Sequence, residues 1–203
     1  TDIFITKTDN QGNFLWAQKA GGTGSDRGIA IATDFLGNSF VTGYFNGTAT
    51  FGTTTITSSG LQDVFIAMYN SAGVLQWVKK AGGTGADLAS GVSFNNTGGV
   101  FVTGSYKGSA TFGTTTVTSP NTTSNVFVTK LNISGVFQWT QTGEGNFTNK
   151  GVDLGCDNNG NVYVTGHFSD TITFGMQHPN QMQNVIFLIK FNSTGAEQWF
   201  KTI

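Results

Sequence analysis

The chain has 203 residues, a formal net charge of −1 and only 10% charged residues, set against 29 glycines and 18 phenylalanines. Its longest basic run is Lys79-Lys80, so it has no Lys/Arg cluster with which to displace counterions from nucleic acid. No apolar run approaches the roughly 18 residues that insert across a membrane, and the aromatic content argues against disorder.

Residues 1–20 predict two strands, the first around the apolar run Ile3-Phe4-Ile5. AGGTGSDRG (20–28) follows as a glycine-rich loop. A phosphate loop needs Gly-Lys-Ser/Thr opening a helix; no Lys follows here, and the next segment, RGIAIATD (27–34), reads as a strand. FLGN is a turn and SFVTGYF (39–45) another strand. The Thr-rich stretch 46–62 reads as a long connection, and its TFGTTTITS alternates enough for an extra hairpin. DVFIAMYN (63–70) and VLQWVKKAG (74–82) complete a four-stranded unit joined by Asn/Asp/Ser/Gly turns. No stretch keeps a 3.6-residue period, so little helix is expected.

The unit then repeats. Trp16, Trp77, Trp139 and Trp199 are spaced by 61, 62 and 60 residues, and Phe4, Phe65, Phe127 and Phe187 keep the same spacings. Gly43, Gly104 and Gly166 close three Val-Thr-Gly triplets. Length varies only after the Phe-Gly pairs, in SSGLQ, SPNTTS and MQHPNQMQ, as exposed loops allow. The units fall at about 1–20 (half a unit), 21–82, 83–142 and 143–203. Strands apolar on both sides must be covered on both faces, and four-stranded sheets stacked radially do that. The expected fold is therefore all-β: a β-propeller of four-stranded blades of ~61 residues, about three and a half blades present. Strand counting leaves an N-terminal pair without its inner partners. The chain, which begins at Thr1 without an initiator Met, accordingly reads as part of a longer array.

Residues 125–139 (NVFVTKLNISGVFQW) and 157–166 (DNNGNVYVTG) carry the pattern D-x-F-x-x-K-x-(D/N)-x-x-G-x-x-x-W followed by D-x-x-G-N-x-x-V-T-G. It resembles the bacterial seven-bladed β-propeller (SBBP) repeat over essentially the whole chain. Met68 departs from its Lys position, and Asn38-Ser39-Phe40 from its strand. The resemblance implies a secreted or cell-surface protein with structural or adhesive roles, other domains or copies of itself as partners, and no catalytic residues or cofactor.

Candidate sites follow from the repeat. Asp26, Asp87 and Asn149 align in the glycine-rich connectors on the rim holding the long loops. They read as backbone-capping groups or, alternatively, as ligand-binding residues; the change to Asn weakens a calcium site. The four tryptophans read as packing residues recurring once per blade, the alternative being sugar-stacking platforms of a carbohydrate-binding propeller. The lone Cys156 reads as a small apolar filler, and His167 and His178 as surface polar residues. N-x-S/T sequons occur at Asn46, Asn95, Asn121, Asn132, Asn146 and Asn192.

Overall fold

The computed structural model describes residues 1–119, 123–179 and 184–203. The sequon at Asn121 and much of the two longest insertions lie outside these. Eighteen strands and no helix make up the described chain. A hairpin of β1 (Ile3–Thr8) and β2 (Phe14–Gly22) comes first. The first full unit is β3 (Arg27–Thr33), β4 (Ser39–Phe51), β5 (Thr54–Tyr69) and β6 (Leu75–Gly83). The next contains β7 (Leu88–Phe94), β8 (Gly99–Lys107), a small hairpin of β9 (Ser109–Phe112) and β10 (Thr115–Thr118), then β11 (Ser124–Asn132) and β12 (Phe137–Gly143). The last contains β13 (Lys150–Cys156), β14 (Val162–Phe168), the hairpin β15 (Thr171–Phe174) and β16 (Met176–Pro179), then β17 (Val185–Phe191) and β18 (Glu197–Thr202). Within each unit the four main strands pair antiparallel in chain order. The first strands lie side by side, β3 against β7 and β7 against β13.

One local device builds the seven tight turns between successive main strands of a unit. Asp9, Asp34, Asn70, Asn95, Asn132, Asp157 and Asn192 each open a five-residue turn with glycine in fourth place. The opening side-chain oxygen accepts the backbone N–H four residues on, at 2.7–2.9 Å. The glycine holds φ between +76° and +88°, where other residues are strained. Asp and Asn suit the first place because a short carbonyl arm reaches its own backbone.

The cores lie between sheets rather than within one. On β5, Phe65, Ala67 and Tyr69 face Ile3 and Ile5 of the N-terminal hairpin, while Val64, Ile66 and Met68 face the next unit's Phe127 and Leu131. Val126 and Val128 then face Phe187, Ile189 and Phe191. This explains strands apolar on both sides: successive side chains point to opposite faces, and each face is covered.

The long connection 46–62 holds the extra hairpin that the alternation of TFGTTTITS suggests: β4 and β5 run on through it, pairing Thr48↔Thr57 to Phe51↔Thr54. One expectation needs correction. Phe65, Phe127 and Phe187 are fully buried, but Phe4, in the same phase, is 78% exposed. It faces away from the following unit, where the described residues supply no sheet.

Candidate functional site

The residues singled out by the repeat converge on the joints between units. At each joint the extra hairpin of one unit hydrogen-bonds to the last strand of the unit before it. Ala20, Gly21 and Gly22 pair with Phe51, Thr50 and Ala49; Ala81, Gly82 and Gly83 pair with Phe112, Thr111 and Ala110. A single bridge, Glu144↔Thr173, repeats this further on. A β-carbon on Gly22 or Gly83 would run into the carbonyl oxygen of Thr48 or Ser109. The glycine-rich stretch is thus a place of close backbone approach.

Asp26, Asp87 and Asn149 are fully buried inside these joints, not on the rim's surface. Asp26 accepts N–H bonds from Gly22 (2.8 Å) and Asn46 (3.1 Å); Asp87 accepts them from Gly83 (2.7 Å) and Lys107 (3.0 Å). Asn149 accepts from Ser169 N at 3.4 Å, and its amide lies 3.3 Å from Asn125 Oδ1. Their own backbone N–H groups donate to Thr1, Gln62 and Ser124 of the preceding unit, at 2.8–2.9 Å. Each residue therefore ties its connector to two neighbouring strands.

Sequence reasoning missed their companions, although the 61- and 62-residue spacing of Asp2, Asp63 and Asn125 carries the signal. Asp2 pairs with Lys19 at 2.7 Å and buried Asp63 with Lys80 at 3.6 Å; Asn125 has Thr142 at the corresponding place. Where the acid becomes an amide, the lysine goes too. A β-carbon on Gly82 would lie 2.7 Å from Asp63 Oδ1 and 2.8 Å from Asp87 Oδ2, so two buried carboxylates face one glycine. Burial pushes both acids up, Asp87 to about 6, with the Asp63 charge adding to it.

The tryptophans form the second part of each joint. Trp16, Trp77 and Trp139 lie over the turn glycines Gly73, Gly135 and Gly195 of the following unit, where an added β-carbon would meet the indole at 2.6–2.9 Å. Each Nε1–H donates into that turn, to the carbonyls of Ser71 (3.1 Å), Ile133 (3.0 Å) and Ser193 (3.1 Å). Lys7 and Lys130 donate to the Ser71 and Ser193 carbonyls as well. Trp199 has no such partner among the described residues and rests beside Tyr163. Behind Gly43, Gly104 and Gly166 the carbonyls of Arg27, Leu88 and Lys150 leave no room for a β-carbon.

Among the described residues no three His, Cys, Asp or Glu side chains gather as a metal site. His178 is not a free surface residue: it stacks on Phe200 at 3.9 Å with Nε2 2.9 Å from Glu197 Oε1. His167 lies half-buried on β14. Cys156 is half-buried with Sγ 3.0 Å from Ser93 Oγ, and burial raises its pKa, the reverse of an activated thiolate. Of the sequons, Asn132 and Asn192 use their side-chain oxygens inside turns, and Asn95 is buried.

A family model described as the SBBP beta-propeller repeat matches residues 15–48, from β2 through the connector and β3 into β4. The chain is also similar to an uncharacterized WD repeat-containing protein, L264, of Acanthamoeba polyphaga mimivirus. The two are 29% identical over 194 residues, covering 83% of this chain. The chain spans 14% of that relative's length.

Proposed function

We propose that the chain is a non-catalytic β-propeller segment, three complete blades preceded by half a blade, acting as a structural or adhesive module of a secreted or cell-surface bacterial protein. The observation that carries this reading is where its polar recurrent residues are used. Buried Asp26, Asp87 and Asn149 cap backbone, and three of four tryptophans pack on turn glycines of the next unit. Groups that could hold a substrate are engaged in joining repeats. Placement at the cell surface rests on the resemblance of the repeat to those of secreted proteins.

The carbohydrate-binding alternative requires tryptophan faces open between blades, and three of them are covered. Glycan-array screening of the chain separates the two readings. The scaffold reading expects no saturable sugar binding; selective binding abolished by Trp77→Ala in a folded protein would replace it with the lectin reading.

A further inference from the structure

Asp63, Lys80 and Asp87 make up a set that packing of the second joint leaves unexplained. Asp63 lies on β5 and Lys80 on β6, strands brought side by side by the pairing Phe65↔Lys80. The Asp63 side chain is fully buried. Its Oδ2 accepts the Ser59 N–H at 2.9 Å, while its Oδ1, equally buried, has no hydrogen-bond partner. That oxygen and Asp87 Oδ2 lie 2.7 and 2.8 Å from the place a β-carbon on Gly82 would take, so only a glycine leaves room for both carboxyls. From the other side the Lys80 amine donates to Thr57 O and Ser59 Oγ, each at 2.7 Å, and lies 3.6 Å from Asp63 Oδ2. Two of its three N–H directions are thereby fixed, and the third is left for the carboxyl. In the third joint Asn125 and Thr142 stand in the places of Asp63 and Lys80, so carboxyl and amine are lost together.

We propose that the folded chain joins Lys80 to Asp63 by an amide bond between their side chains, with Asp87 as the acid. Burial penalises both charged forms, so a proton passes from Nζ to Asp63 Oδ2 and leaves a neutral amine beside a neutral carboxyl. Nζ attacks Cγ, and Asp87 gives its proton to Oδ1 as charge gathers there. Asp87 then takes a proton from the nitrogen and passes it to Oδ2. Oδ2 leaves as water, and Oδ1 returns the first proton to Asp87. One C–N bond forms, one C–O bond breaks, and no oxidant, reductant or further reactant enters. The buried carboxyl that keeps its proton is Asp87, whose pKa burial pushes up to about 6. The reaction occurs once per chain and turns over no substrate, so it stands beside the structural reading and does not depend on where the protein resides. Its product fastens β5 to β6 where the connector enters the joint, and shortens the free chain between them when the fold opens.

Mass spectrometry of the denatured chain tests this, on the wild type and on Lys80→Arg and Asp87→Asn. The wild type is expected to lack the mass of one water, and proteolysis to release a linked pair of peptides, one carrying Asp63 and the other Lys80. Lys80→Arg keeps the positive charge but supplies no amine that can be deprotonated. Asp87→Asn keeps the side-chain size that Asn149 shows one joint later, but cannot pass a proton. Neither variant is expected to yield the linked pair. The wild-type measurement decides by itself should a variant misfold, since it needs no comparison. A wild-type chain at its full sequence mass overturns the proposal. So does a water lost without linked peptides, which marks a succinimide, or a variant that yields the same linkage as wild type.

Discussion

The indoles of Trp16, Trp77 and Trp139 do two things at once: they cover a glycine and donate into its turn. Trp77→Phe keeps most of the packing and loses the bond to Ile133, so urea unfolding is expected to register a loss of about 1 kcal/mol. Trp77→Ala is expected to cost about 3–5 kcal/mol. Trp199→Ala in this chain is expected to cost under about 1 kcal/mol, since among the described residues no turn lies over that ring. The buried acids give a pH dependence of unusual sign. Asp87 holds its proton up to about 6 in the fold and only to ~4 when unfolded. Between those values the folded chain binds more protons, so its contribution to stability falls as pH rises through the window and levels off above it. Asp87→Asn, the amide that Asn149 already supplies one joint later, is expected to flatten that slope in melts taken at pH 4.5 and pH 7. It also gives up one of the two backbone N–H bonds that the carboxylate accepts from Gly83 and Lys107, because an amide has a single acceptor oxygen. A variant with an unchanged slope would assign the pH dependence to other groups.

At the scale of elements, the tight turns were the most legible part of the sequence. Asp/Asn at the start and Gly in fourth place are read locally, because the turn is closed by its own side chain. The four-stranded units were legible too, since Trp, Phe and Val-Thr-Gly recur in step. What stayed hidden depends on partners distant in the chain. TFGTTTITS shows its alternation but not that it lies along Ala20–Gly22, which the glycines explain only once both backbones are placed. Asp2 and Asp63 were overlooked because their meaning lies in Lys19 and Lys80 across the strand pair. Phe4 keeps the phase of Phe65 but is exposed, because among the described residues no sheet lies against its face. The hairpin contact makes a sharp expectation. Gly83→Ala sets a methyl against the Ser109 carbonyl and is expected to cost at least about 2 kcal/mol, lowering the thermal midpoint. Gly108→Asn, at an open positive-φ turn, is expected to cost under about 1 kcal/mol.

Over the whole molecule, each unit touches its neighbours in sequence and the apolar clusters sit at the joints, so stability is a sum of joints. Among the described residues the two outermost faces meet no further sheet. Ile31 on β3 is 56% exposed beside a cleft of about 400 Å³ that also takes in Ile3, Ile5 and Val41. The account's central claim is that tryptophan serves as the fastener between successive units rather than as a platform for ligand. Solvent exchange of the four indole N–H signals, followed by NMR at a concentration where the chain is monomeric, tests that most directly. Three signals, Trp16, Trp77 and Trp139, are expected to exchange slowly and one, Trp199, rapidly, with none moving when oligosaccharide is added. Four signals that exchange alike, or a shift of Trp77 on adding sugar, would contradict it.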